Sequence, residues 1–522
     1  MNSRRDFLYT IILGSGAVFL APLPGCGPSR VPSTTDSLKK IADPAKPRTG
    51  TPQFRVAHQY LRDGKPLPVA RITRSHDVIV VGGGLSGLTA ALVLQTNGVD
   101  AIVLEAESRV GGSAVSDNID GASVPLGSVY FVSRTPEIEL LLQTAKISPV
   151  QCPDDAHILS DGQSVHNLWS DATLETAIRN DADRSGMQRF RDGLLTMTDD
   201  LPSYPLDKVL SPRLQKLDAR SSEDYGKPFG SPTLNAIIES YSRSSMGASA
   251  TKTNAYCLLN FYQSELGTEF GYPRYSFPGG TSRLALGVAS SLKALYTSCL
   301  VARVSETPTN VEVDVVESDG SVTRYIAPYA ILAVPKYQLS RLLVGIESRR
   351  GSAAKSISYA PYATIQIFSG VALSTTGAYD TWDFRVDTSY TDVIDPMTIQ
   401  PGTDKNIVSL YVPLETSQRS LLLDDAAFAS FASETVARYA EYLTEEQRSS
   451  ITEVRCWGWG HGIVVPTVGS HNGPAQDACA PTSRLRFAGT DSDCAPAIEN
   501  ATEQGARAAY DVISHLHGRT GQ

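Results

Sequence analysis

The chain has 522 residues, 41% hydrophobic and 19% charged, an ordinary globular composition with length for two domains or one interleaved pair. Its formal net charge of −9 includes no basic block, which argues against a nucleic-acid partner, because phosphate contacts need a clustered positive face. The cysteines, at 26, 152, 257, 299, 456, 479 and 494, form no CxxC, CxxCH or zinc-like spacing, so neither a metal site nor covalent c-type haem is expected. Buried thiols are the default, although export leaves a Cys479–Cys494 pairing open.

Arg4 and Arg5 precede an apolar run, residues 7–21, that is too short to span a bilayer comfortably. "SRRDFL" resembles a twin-arginine export signal, a receptor-read address. "LPGC" resembles a lipobox, in which Cys26 would be lipidated and hold the body at a membrane surface of the periplasm or cell envelope. A plain cleaved signal and an uncleaved anchor are the alternatives. Residues 1–26 are therefore read as signal. Residues 27–75, rich in Pro, Ser, Thr, Lys and Arg, are read as a linker, within which "FRVAHQYLRDG" (54–64) has apolar spacing suited to a helix packed on the body.

From Asp77 the pattern is an apolar strand, a glycine turn, an apolar helix ending near Asn97-Gly98 and a second apolar strand, a βαβ unit. Gly82, Gly84 and Gly87 form G-x-G-x-x-G at the turn, with Leu85 and Ser86 opening the helix. Such glycines let backbone amides approach a pyrophosphate at a helix N-terminus. Glu105, ending the second strand, is placed to bind ribose hydroxyls. Residues 135–270 are mostly helical in pattern, and 275–292 read as a turn into a helix. Val311, Val313 and Val315 alternate before Asp319-Gly320, a hairpin signal. "YAILAVP" (329–335) reads as a buried strand, residues 357–413 hold further strands, 425–446 a helix, and 485–516 a strand, a loop and a helix.

Glu105 continues as "EAESRVGG", which resembles the flavoprotein pattern Glu-Ala-x-x-Arg-x-Gly-Gly, and the chain is similar to the flavin-containing amine oxidase superfamily. The likeness recurs in order in "LGSVYF" (126–131), "FPGGTSRLA" (277–285), Val301 before the hairpin, "YAILAVP" and "RFAGTDSDCAPAIENATEQGARAA". It implies an FAD site that adds Ala106, Arg109, Gly111, Gly112 and Ser113 to the first turn, then Gly127 and Ser128, then Val301. Gly489 and Asp491 would face the ribityl–phosphate chain. A helix starting near Ala497, with Ile498, would aim its positive end at the flavin.

The implied fold class is α/β. A Rossmann-like FAD-binding domain is assembled from residues 77–135, 275–345 and 455–516. An interleaved α+β substrate domain comes from 136–274 and 346–454, with an antiparallel sheet and a helical insert. Three positions depart from the family pattern: Ser113 and Glu107 stand where arginine is frequent, and Gln366 aligns with a lysine that bonds a water near flavin N5. The last departure weighs against oxygen as oxidant.

"RCWGWGHGIVVP" (455–466) falls where related enzymes place aromatic residues around the substrate amine, so Trp457, Trp459 and His461 are the catalytic candidates, the tryptophans by cation–π attraction and His461 as a proton acceptor. Tyr241, Arg243 and Tyr256 lie in the insert expected to roof the cavity. A narrower resemblance, to exported spermidine dehydrogenase-like proteins, leaves His58 either as ligand of a non-covalent haem or as a surface histidine.

The expected activity is hydride transfer from an amine, polyamines included, to FAD at the cell-envelope face, with electrons passing to a quinone, a haem protein or oxygen. A desaturase or isomerase acting on an apolar polyene, and a non-catalytic flavoprotein subunit of a membrane complex, are the alternatives. A twin-arginine route suits a chain that must fold around FAD before export.

Overall fold

The computed structural model describes residues 6–11, 56–197, 210–385, 389–400 and 402–519. Arg4, Arg5 and Cys26, on which the export reading turns, lie outside these residues. Among the described residues no helix is long and apolar enough to cross a membrane.

A five-stranded parallel sheet runs in the order Leu295–Tyr296, Ala101–Leu104, Val78–Val81, Tyr329–Leu332, Leu485–Phe487. "VIVV" and "YAIL" are buried along their whole length, as expected of central parallel strands covered on both faces. The helices Leu85–Thr96 and Ile498–Arg519 pack on each other against this sheet. Their crossing depends on Gly505, where a Cβ would lie 2.1 Å from the Ser86 carbonyl oxygen. A four-stranded sheet follows the order Leu300–Glu306, Val311–Val316, Val322–Ala327, Ile72–Ser75. The expected hairpin is present, its turn taken by Gly320 at φ +80°.

The second body is an eight-stranded sheet in the order Asp6–Ile11, Ile451–Val465, Ser358–Ser369, Asn406–Pro413, Asp392–Ile394, Asp380–Asp383, Ala156–Ile158, Ser164–His166. It is antiparallel except where Asp380–Asp383 meets Ala156–Ile158. Helices Asp181–Thr196, Pro232–Met246 and Ala255–Tyr262 cover its cavity side. They share one apolar core, centred on Trp169, Phe190 and Tyr262, that reaches Trp382 of the sheet.

Three boundaries differ from the sequence reading. Asp6–Ile11, inside the stretch read as signal, pairs antiparallel with Ile451–Val465 as the edge strand of the second body. Residues 455–465 belong to the antiparallel sheet, because Ile451–Val465 pairs with Ser358–Ser369 rather than entering the nucleotide layer. The end of the 27–75 linker belongs to the body: Ile72–Ser75 pairs in parallel with Val322–Ala327, and residues 56–70 pack on Leu300 and Ala302. The six described cysteines are unbonded, Cys479 and Cys494 included.

Candidate functional site

A cavity of about 530 Å³ lies between the C-terminal edge of the parallel sheet and the inner face of the antiparallel one. Its first stretch is the glycine turn. Gly82 has φ +107°, and a Cβ there would strike the Ala333 carbonyl oxygen at 2.5 Å. Gly84, Leu85 and Ser86 border the cavity at a helix start that has no side-chain cap, so first-turn amides are left for a ligand. Ser86 Oγ is buried there without a hydrogen-bond partner among the described residues. Gly111 donates to the Gly83 carbonyl at 2.8 Å, and a Cβ on Gly112 would come within 3.3 Å of Gly84 Cα. Gly127 is held as tightly, 2.1 Å from the Ser113 oxygen by the same measure, with Ser128 donating to that oxygen at 2.9 Å.

Glu105 accepts from the Gly83 amide at 2.6 Å and from the Glu107 amide at 2.7 Å. Burial pushes its carboxyl above the ordinary range, and it borders the cavity beside Ala106 and Val301. An uncapped helix start, an orphaned serine hydroxyl and a buried carboxylate in this order fit a dinucleotide with pyrophosphate at Ser86 and ribose at Glu105. Gly489, at φ +120°, and Ile498, at the start of the closing helix, line the far end. Glu499 accepts from the Val132 and Ser133 amides at 2.7 and 3.0 Å, tying the 126–133 segment to that helix.

Two cofactor assignments change. Gly87 does not reach the cavity; a Cβ there would sit 1.9 Å from the Gly82 carbonyl oxygen, so this glycine serves the packing of helix on turn. Asp491 borders the cavity, but its carboxylate turns to the protein. Lys336 Nζ donates to Oδ1 at 2.5 Å, and the Lys336 amide and Tyr359 hydroxyl donate to Oδ2 at 2.9 and 2.6 Å.

Of the catalytic candidates, Trp459 and His461 border the cavity and Trp457 does not. All three alternate onto one face of Ile451–Val465. Trp457 lies a step further out, packed on Trp459 with Arg109 above both rings at 5.8 Å. Trp459 Nε1 donates to the Leu126 carbonyl at 2.6 Å, which fixes its ring. His461 stacks on Tyr337 with centroids 4.4 Å apart. His58, half-buried in the turn His58–Arg62, is not among the cavity-lining residues.

Beyond Trp459 the cavity opens into a chamber that sequence motifs did not announce. Tyr362 and Tyr411 stand edge to face at 6.0 Å, and the Tyr411 hydroxyl donates to the Gly127 carbonyl at 2.6 Å. Asp392 faces them, accepting from Ser244 Oγ at 2.7 Å and from Thr391 Oγ1. From the helical side come Tyr241 and Glu265, the tyrosine hydroxyl donating to Glu265 Oε1 at 3.1 Å. Behind them Arg274, buried under the Tyr130 ring, pairs with Glu265 and with Asp155 at 2.6 Å, and lies 3.6 Å from Asp380. Burial raises Asp392 to about 6, raises Asp155, and lifts Asp380 well above the ordinary carboxylate range with help from its acidic neighbours.

Of the three roofing residues named from the sequence, Tyr241 reaches the cavity, whereas Arg243 and Tyr256 do not. No lysine lines the cavity among the described residues. Gln366 is buried one step past the lining Thr364, to whose Oγ1 it donates at 3.0 Å.

Comparison with known proteins agrees with this geometry. Among curated relatives, a pseudooxynicotine dehydrogenase from Pseudomonas sp is 38% identical over 137 residues, 26% of this chain and 22% of its own. A coproporphyrinogen III oxidase from Mycobacterium tuberculosis (strain ATCC 25618 / H37Rv) is 27% identical over 316 residues, 55% of this chain and 65% of its own. The chain thus spans less than two thirds of either relative. Among solved structures, a putrescine oxidase bound to putrescine superposes with TM-score 0.69 at 19% identity, covering 85% of this chain and 100% of that one. Cyclohexylamine oxidase from Brevibacterium oxydans IH-35A gives 0.68 at 16%, covering 85% and 99%. At such identities the likeness concerns the fold. The family of flavin-containing amine oxidoreductases matches residues 85–513, and the chain belongs to it.

Proposed function

We propose that this flavin-containing oxidoreductase oxidises an amine that carries a second cationic group, as diamines and polyamines do. The observation that carries this is the chamber beyond Trp459, walled by Tyr362, Tyr411 and Trp382 and bordered by Asp392 and Glu265. Among the described lining carboxylates, Glu265 is paired with Arg274 and Asp491 with Lys336, whereas Asp392 is held by the Ser244 and Thr391 hydroxyls. A cation entering beside the Tyr362 and Tyr411 rings gains attraction from an aromatic face and from an ionised Asp392. FAD supplies the hydride-accepting ring when bound. The protein's part is to hold the donor carbon against that ring, exclude water, and take the ammonium proton before hydride leaves. Asp392, raised towards neutrality, is suited to that last task. A polyene would need a long apolar tunnel; the polar chamber favours the amine.

Electrons then pass to a quinone or a haem protein, a reading supported by the absence of lysine from the described lining and resting on family resemblance. The paired arginines and Cys26 support an exported, lipid-anchored protein at the cell-envelope face. His58 is given no haem here, since Ala57 and Leu61, rather than His58, face the cavity.

The test is anaerobic titration of the purified protein with putrescine, spermidine and butylamine while the flavin band near 450 nm is followed. Bleaching by the dications at concentrations at least tenfold below butylamine is the expected result. Equal bleaching by butylamine, or none by any amine, overturns the reading.

A further inference from the structure

The chain segment just before the βαβ unit borders the nucleotide end of the cavity. Ala57 and Leu61, in and beside the helical turn His58–Arg62, line it together with Ala106, Cys299, Leu300 and Leu342. Glu105 marks the ribose position and Ser86 the pyrophosphate, so the base attached to that ribose has this stretch of cavity to occupy. The turn is closed on itself, and the chain that follows it is tied to the four-stranded sheet. The Asp63 and Lys65 amides donate to His58 and Gln59 carbonyls at 2.9 Å each. Ile72–Ser75 is a strand of the four-stranded sheet, and the Arg71 amide donates to Val322 at 3.1 Å. Val56, Ala57, Tyr60, Leu61, Leu67 and Ala70 pack on Leu300, Ala302, Val316 and Val322.

We infer that residues 56–62 form one wall of the adenine pocket, with Ala57 and Leu61 laid against the base of the bound FAD. An apolar wall suits a purine, whose faces gain from leaving water while its ring edge keeps polar contacts. The inference concerns cofactor retention and is independent of which amine is oxidised.

The experiment compares flavin-free full-length protein with its Leu61→Glu, Leu61→Ala and Leu67→Ala variants. FAD binding is followed by quenching of flavin fluorescence, ADP binding by calorimetry, and the unliganded midpoint of thermal unfolding by circular dichroism. Leu67 packs in the same apolar cluster but does not line the cavity, and so reports on the segment's support of the body. Leu61→Glu is expected to weaken FAD and ADP by the same factor, about tenfold or more, and Leu61→Ala by less, while Leu67→Ala leaves both within about twofold. If Leu61→Glu does not fold, Leu61→Ala decides alone against Leu67→Ala. Unchanged FAD affinity in the Leu61 variants, or an equal loss in Leu67→Ala, overturns the inference.

Discussion

Asp392 shows how a single buried carboxyl can serve function at the expense of stability. Burial is the first cause of its rise to about 6, only partly countered by the Thr391 and Ser244 hydroxyls. A carboxyl whose folded-state value lies above its unfolded one stabilises the fold while protonated. That contribution is complete below the ordinary carboxylate range and is lost as pH climbs through about 6. The ionised form, which the amine reading requires, is therefore the less stable one. Asp392→Asn is expected to raise stability at pH 8 by roughly 1–2 kcal/mol in denaturant unfolding. The same variant should lose kcat/KM for diamines by about 100-fold or more, the scale of a general base. In the unaltered protein kcat/KM should fall as pH drops through about 6, and this inflection should vanish in Asp392→Asn.

At the scale of elements, the two long helices on the parallel sheet and the helical insert use glycine in opposite ways. Gly505 lies in the crossing of Ile498–Arg519 with Leu85–Thr96, with Ser86 oxygen 2.1 Å and Ala90 nitrogen 3.2 Å from where a Cβ would stand. Gly193, inside Asp181–Thr196, has nothing within 4 Å of that point. Gly505→Ala is expected to force the helices apart, destabilise the protein in urea and weaken FAD retention. Gly193→Ala should stabilise by about 0.5–1 kcal/mol, the ordinary helix preference for alanine. The crossing lay beyond a reading of the sequence because Gly505 and Ser86 are remote in the chain. By contrast, "DVIVVGGGLSG" and "EAESRVGG" announced the nucleotide turn, since each places its strand, bend and carboxylate within one local stretch. The amine chamber had no such stretch. Tyr362, Asp392, Tyr411 and Glu265 come from three strands and a helical segment, and only the pairing of Ser358–Ser369, Asn406–Pro413 and Asp392–Ile394 gathers the first three on one wall. Family resemblance singled out Trp457, Trp459 and His461, but their place at the cavity or beyond it follows from the strand Ile451–Val465, which brings Trp459 and His461 to the lining and leaves Trp457 a step further out.

For the whole molecule, the two bodies divide the work. The parallel layer supplies the nucleotide turn and the closing helix, and the antiparallel layer with its insert supplies the chamber. The cavity runs unbroken between them. The proposed acceptor can be tested on this intact assembly. Protein reduced anaerobically by its amine should reoxidise slowly when air is admitted, over minutes, and within a mixing time when a soluble quinone is added. Rapid reoxidation by air in stopped-flow absorbance would make oxygen the acceptor. The buried Lys336–Asp491 pair belongs to this scale as well, because it clamps the loop after Tyr329–Leu332 to the segment after Leu485–Phe487.

The cradle opens with Gly82 and is completed only by Gly489 and Ile498, some four hundred residues later in order of synthesis. A ribosome must therefore release nearly the whole polypeptide before the vitamin-derived ring can be captured. Nascent chains stalled before the Leu485–Phe487 strand would stay colourless, and yellow colour would mark a finished translation product.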